Sequence, residues 1–266
     1  RWFASRVIND RTNFLDPEFL KMAEGMWPKA VRDQEINCAR ITDEEMVLIT
    51  SRMIEDLKGY HIHPTKTRHI ISCDPSLGGD ACPIHYIRNG RIEDKLILHE
   101  RNPMIITGHI IAMGTKHKCE DYIVDATGIT VGKAIVARMK EQGHTRVYGF
   151  ESAGKAQDDK RFYNRRAEIA WYVAEQIDAH QIPYIEDKDT REDLTVEHYR
   201  VSDSRGRLIL EPKEDTKKRL GRSPDDGDAF KMGVWRLQYV EALQDRRRRK
   251  RDRWDPKPAR VSAMSG

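Results

Sequence analysis

No apolar run in these 266 residues approaches the roughly 18 to 20 needed to span a bilayer. A mean hydropathy of -0.74 and 34% charged residues fit a soluble protein instead. The four cysteines, Cys38, Cys73, Cys82 and Cys119, lack paired zinc-finger spacing. Cys82-Pro-Ile-His85 has the spacing of half a metal site, but no matching half follows, so the thiols read as ordinary cysteines of a reduced, intracellular protein. No GxGxxG sequence is present, which removes the usual dinucleotide fingerprint. The first residues, RWFASRVIND, contain neither an initiator Met nor a signal-peptide apolar core, so the chain is expected to be a fragment or a trimmed product.

The net charge of +4 is unevenly spread. Nine Lys/Arg and three Asp between Asp245 and Arg260 give that stretch +6, and the remainder sums to -2. A near-neutral body with a basic arm points to a polyanionic partner such as nucleic acid, or to a solubilising tail.

The length accommodates one full core with a small extra subdomain. Residues 1–66 read as mainly helical, a linker or the remnant of a preceding domain. Asp16-Pro17-Glu18 opens a short helix, and Thr42-Asp43-Glu44-Glu45 is a capping box for a helix running to about Leu57. From Thr67 the pattern changes. Arg68 to Cys73 predicts a buried strand delivering Asp74, and Cys82–Arg88, Asn89-Gly90 and Arg91–His99 predict a hairpin. A helix over 103–118 follows, then a buried strand ending at Asp125, a helix over 131–142 stopped by Gly143, and a strand over 146–150. A long helix is expected over 161–180, short strands over 182–185 and 207–210, and a final helix from Ser223-Pro224-Asp225-Asp226 to about Leu243 with Ser223 as its cap. This order implies an α/β domain over 67–244, a mixed sheet with helices on both faces, followed by a basic tail over 245–266.

VDATGITVGKA (Val124 to Ala134) resembles a phosphate loop only superficially. That loop needs four residues between its glycines and a hydroxyl after the lysine; here three separate Gly128 from Gly132, and Ala134 follows Lys133. What remains is Asp125 at the carboxyl end of a buried strand, in the same setting as Asp74. Ligand sites of open sheets lie outside such strand ends. Asp228, before the apolar series Ala229, Phe230, Val234 and Leu237, offers a third carboxylate near a buried helix face. Asp225 and Asp226 are more easily explained as partners of the helix dipole. Each aspartate alone is more often a structural turn former than a catalytic acid. Together they fit a hard oxygen site for Mg²⁺ or Mn²⁺ and phosphoryl transfer.

DPSLGGD (Asp74 to Asp80), VDATGITVGKA, FYNRRAE (Phe162 to Glu168) and LILEPKEDTKKRLGRSPDDGDAF (Leu208 to Phe230) together resemble the nuclease domain of tailed-bacteriophage terminase large subunits. The likeness runs over about residues 67 to 235, and its last motif is the most specific. It implies an RNase H-like fold and a divalent-metal-dependent endonuclease that cuts double-stranded concatemeric viral DNA during genome packaging, with two ions during catalysis. Carried over by motif, Asp74, Asp125 and Asp228 are the catalytic, metal-holding acids, with Asp225 a rival or additional ligand. Asp80 is auxiliary, and Lys213 reaches DNA phosphate or orients a carboxylate. Asn164, Arg165 and Glu168 match a motif that also reads as structural. The run Arg246, Arg247, Arg248, Arg249, Lys250 and Arg251 is expected to touch DNA or another packaging component. The resemblance implies a terminase ATPase domain, the small terminase subunit and the portal as partners, and host cytoplasm with transient residence at the procapsid portal as the location. No membrane partner or secretion is expected. The Walker motifs of the motor domain are absent from these residues, so no ATPase activity is expected. Other readings are a junction-resolvase-like or transposase-like RNase H-like enzyme, an actin-like ATP-binding module, and a noncatalytic DNA-binding module.

Overall fold

The computed structural model describes residues 15–27, 32, 36, 46–76, 80–128, 131–202, 206–243 and 245. Its centre is a five-stranded sheet in the order β3-β2-β1-β4-β5. The strands are β1 (His69–Cys73), β2 (Cys82–Arg88), β3 (Arg91–Leu98), β4 (Tyr122–Asp125) and β5 (Val147–Phe150). β1, β4 and β5 run parallel, while β1–β2 and β2–β3 are antiparallel. The β2–β3 turn is tight because Asn89 (φ 49°) and Gly90 (φ 84°) both take left-handed conformations, which matches the twist of the flanking strands. The mixed sheet and the hairpin are as the sequence predicts.

Period-2 alternation divides the core. Ile71, Tyr122 and Val124 face one cluster, beneath α3 (Pro103–His117) and α4 (Val131–Glu141). Ile70 and Ile123 face the other, beneath α5 (Arg165–Asp178) and α8 (Asp225–Leu237). Ile49, Ile54 and Leu57, on and beside α2 (Ser51–Asp56), join this second cluster. Burying one such aliphatic side chain stabilises the fold by about 1.5–3 kcal/mol. α1 (Pro17–Met26), capped by Asp16, leads to Trp27, whose Nε1 donates to the Gly206 carbonyl beside a two-stranded ribbon, β6 (Tyr199–Val201) with β7 (Leu208–Leu210). Among the described residues no helix is long and apolar enough to cross a membrane.

Several expectations are corrected. Residues 182–185 form no strand; Ile182 and Ile185 are buried against the second cluster, with Ile182 and Pro183 packed on Gly90. Two mainly polar helices stand where none was expected, α6 (Lys188–Val196) and α7 (Lys213–Leu220). The expected capping box at 42–45 lies outside the described residues, and Thr50 caps α2. Asn164 sets the start of α5, accepting from the Ala167 N–H. Ser223 does not cap α8: its hydroxyl donates to Asp225 Oδ1 at 2.5 Å. α8 ends at Leu237, because the chain then folds back and the Leu243 N–H donates to the Thr67 carbonyl.

Candidate active site

Asp74 follows β1 and Asp125 ends β4. Cys73 pairs with Val124 in the parallel register, so the two aspartates are the next pair along, on neighbouring strands roughly 4.8 Å apart. Alternation from Ile70 through Ser72, and from Ile123, turns both toward the face that α8 covers. α8 lies close on that face. Ser72 Oγ donates to the Ala229 carbonyl, and a Cβ on Gly233 would overlap Ile87 Cδ1 and sit 3.1 Å from Ser72 Cβ. On the other side, α4 begins so near β4 that a Cβ on Gly132 would overlap the Asp125 carbonyl oxygen. Gly132 is therefore a packing glycine, which disposes of the phosphate-loop resemblance. The Lys133 ammonium lies 3.2 Å from Glu151 on the surface.

Nearly every residue of α8 is buried, including Asp225, Asp226, Asp228 and Lys231. Charges so placed need partners. Asp226 finds His85 Nε2 at 2.9 Å and Lys95 Nζ at 3.2 Å, away from the strand-end acids. Asp228 is gripped from both sides, Oδ1 by Lys231 Nζ at 2.8 Å and Oδ2 by Lys213 Nζ at 2.5 Å. Lys231 also pairs with Glu197 Oε2, and Glu197 Oε1 accepts from Arg166 Nη2 at 2.7 Å. Arg166 Nη1 donates to the Glu211 carbonyl at 2.8 Å, tying α5 to the link between β7 and α7. Lys213 Nζ is 3.6 Å from Asp74 Oδ2 as well.

The carboxylates differ in proton affinity. Burial pushes Asp74 well above the ordinary range; Lys213 opposes this, and Asp125, Asp228 and Asp225 reinforce it. Burial also raises Asp125, against hydrogen bonds from the Thr127 hydroxyl and N–H. Asp225 is pushed up to about 6 by burial, partly offset by the Ser223 hydroxyl and Lys213. Asp228 is the exception: burial disfavours its charge, yet Lys213, Lys231 and Arg166 hold it well below the usual range. Asp74 Oδ2 and Asp225 Oδ2 are buried without a hydrogen-bond partner among the described residues. Crowded carboxylates and orphaned oxygens form a donor set that a hard cation would complete. Among the described residues no three His, Cys, Asp or Glu side chains form a ready-made metal cage. The Lys213 ammonium stands between Asp74 and Asp228 instead.

The structure thus gathers Asp74, Asp125, Asp225, Asp228 and Lys213. Asp80 sits at the rim, paired with Lys217 Nζ at 2.6 Å. Arg246 to Arg251 lie outside the described residues. Of the FYNRRAE residues, Asn164 caps α5, Arg165 reaches the Tyr148 hydroxyl, and Glu168 accepts from the N–H groups of Gln157 and Asp158. Sequence reasoning overlooked Lys231, Glu197 and Arg166. The signal for Lys231 was available, as a cation one turn beyond Asp228 on an otherwise apolar helix face.

No family model matches the chain, and no curated protein matches it. Solved structures do. The nuclease domain of the large terminase subunit gp2 of bacterial virus Sf6 superposes with a TM-score of 0.58 at 17% identity, over 70% of this chain and 97% of that one. A point mutant of the same domain with manganese and beta-thujaplicinol gives the same values. A mutant gp2 structure with calcium gives a TM-score of 0.56 at 17% identity, over 70% of this chain and 98% of the other. At such identity the likeness establishes fold: the chain has the RNase H-like architecture of a large-terminase nuclease domain.

Proposed function

We propose that the chain is a divalent-metal-dependent endonuclease acting on double-stranded DNA, the cutting domain of a phage genome-packaging terminase. The observation that carries this reading is the convergence of Asp74, Asp125 and Asp228 from the ends of β1 and β4 and from α8, with Asp225 buried beside them. An all-oxygen donor set of this kind suits Mg²⁺ or Mn²⁺. The manganese and calcium in the Sf6 gp2 structures are consistent with it.

Asp74, Asp125 and Asp228 would hold the ions, two during the reaction, and Asp225 would join them. Bound there, such ions supply activation of the attacking water and stabilisation of the leaving oxygen. The chain's own groups do the rest. Lys231 and Thr127 fix the orientation of Asp228 and Asp125, so the carboxylates need no reorganisation. Lys213, half-exposed on a long stem, neutralises the acids at rest and is free to turn to a phosphate oxygen. Asp80 acts from the rim.

The proposed substrate is concatemeric viral DNA. The ATPase domain, the small terminase subunit and the portal are the proposed partners, met in the host cytoplasm and at the procapsid. The segment 246–251 adds nonspecific phosphate contacts. In this reading residues 67–244 are the nuclease domain, 1–66 a linker and 245–266 a basic tail.

Supercoiled plasmid incubated with Mn²⁺, Mg²⁺ or EDTA tests it, comparing the wild type with Asp125→Asn and Asp225→Asn. Nicking and linearisation that require the metal, vanish in Asp125→Asn and fall less in Asp225→Asn are expected. Equal cutting by the wild type and Asp125→Asn would sink the assignment. Loss of metal-dependent cutting in every protein, with folding intact, would sink the nuclease reading of the chain.

A further inference from the structure

A site built from four carboxylates repels a polyphosphate, so a DNA strand needs cations at its border to approach. Most basic residues of the segment 213–222 are committed elsewhere. Lys213 is held by Asp228 and Asp74, Arg219 by Glu211 and the Val196 carbonyl, and Arg222 by Asp193. Lys218 pairs with Asp215 as openly as Lys217 does with Asp80, but it stands one residue further round α7, off the face that Lys213 and Lys217 share. Lys217 differs. It lies four residues after Lys213 on α7, hence on the same helix face and about 6 Å further along the axis. The Asp80 hydrogen bond, and to a smaller degree the Asp225 charge, hold its ammonium above the ordinary lysine value. Its partner, Asp80 at 2.6 Å, is as open to solvent as Lys217 itself, with side chains 42% and 48% exposed. An exposed pair of this kind is weakly held and readily exchanged for another anion.

Resting on the nuclease reading, we propose that Lys217 is a DNA phosphate-binding residue that exchanges Asp80 for the strand backbone beside the cleavage site. One strand rises roughly 3.4 Å per nucleotide. The Lys213–Lys217 step therefore places Lys217 at a phosphate one or two nucleotides from the one met by Lys213. Asp80 keeps the ammonium aimed along the rim until DNA arrives and then competes with the phosphate. The contact carries no base information, so it sets affinity and register on the strand rather than sequence choice.

The test is equilibrium binding of a short labelled duplex to the full chain, in EDTA to prevent cutting, between about 50 and 200 mM salt. Each phosphate contact adds about 0.9 to the slope of log affinity against log salt. Lys217→Ala should lose one such increment, so the wild-type-to-variant affinity ratio shrinks about 3.5-fold across that range. Lys66→Ala removes an exposed, Asp245-paired lysine at the opposite end of β1 and should leave the slope unchanged. Asp80→Asn should tighten binding by removing the competing carboxylate. A wild-type slope in Lys217→Ala, an equal loss in Lys66→Ala, or weaker binding by Asp80→Asn overturns the proposal while leaving the nuclease reading standing. A wild-type chain that binds no duplex in EDTA overturns the proposal, while the nuclease reading stands or falls on the plasmid assay.

Discussion

Lys231 Nζ lies 2.8 Å from Asp228 Oδ1, and Lys213 Nζ meets the other oxygen of the same carboxylate at 2.5 Å. The two lysines are not equivalent. Lys231 is 1% exposed and shares its charge with buried Glu197, whereas Lys213 is 37% exposed at the mouth of the site. One is a permanent strut and the other a removable counter-ion.

Replacing the strut takes one cation from each of two buried carboxylates, leaving Asp228 to Lys213 and Glu197 to Arg166. Lys231→Met leaves Asp228 and Glu197 facing each other without their shared ammonium, and loss of one partner from a buried ion pair costs about 3–5 kcal/mol. Urea unfolding should show a loss of that size. A change below about 1 kcal/mol would mean that the network relaxes around the gap.

Removing the counter-ion acts on cation affinity. Lys213→Ala takes away the ammonium that competes with a divalent ion for Asp74 and Asp228. Calorimetric titration with Mn²⁺ should show tighter binding, by roughly tenfold for each 1.4 kcal/mol of lifted competition. Unchanged or weaker affinity would show that Lys213 does not occupy the cation's place.

Helix α8 makes its closest approach to β1 and β2 at a glycine. Gly233→Ala forces a methyl into Ile87 and Ser72, an overpacking that costs about 1–3 kcal/mol and lifts the helix carrying Asp228. Thermal unfolding should fall, and metal-dependent cutting should fall further than the lost stability explains. Parallel losses would separate the helix position from the chemistry.

The acid limit of stability has a contributor far from the site. His117 Nε2 at 2.6 Å, then Lys116 Nζ at 2.7 Å, hold the Asp94 carboxyl below the ordinary aspartate value. A group depressed on folding adds stability above its unfolded value, at about pH 4, and loses it as pH falls through the lower folded value. Asp94→Asn should therefore be less stable than the wild type at neutral pH, by about 1 kcal/mol or less. The gap should close in acid. A gap that persists below about pH 3 would assign the loss to packing instead.

Much of the sheet was legible before folding. Apolar runs ending in Asp74 and Asp125, and Asn89-Gly90 between alternating segments, carry their own local reasons to be strands and a turn. The helices that escaped notice, Lys188–Val196 and Lys213–Leu220, are short and mostly polar, so no apolar period announces them. The opposite error, a strand over 182–185, arose because a short apolar run looks the same whether it pairs or packs on a turn. Ile182 packs on Gly90.

The candidate site divides in the same way. Strand period and turn chemistry act between neighbours in the chain, and the sequence alone determined where Asp74, Asp125 and Asp228 stand on their elements. Which of them burial pushes toward the protonated form, which lysine is a strut and which a counter-ion, and why Gly132 is a packing residue were decided only by the tertiary structure. Charge pairing, burial and close approach depend on groups far apart in sequence. Glu197 meets Lys231 across 34 residues, and the Ser72 hydroxyl meets the backbone of α8 across 157. No period in the chain encodes such encounters. They exist once the layers close, because burial removes the solvent that would otherwise screen each charge and satisfy each polar atom.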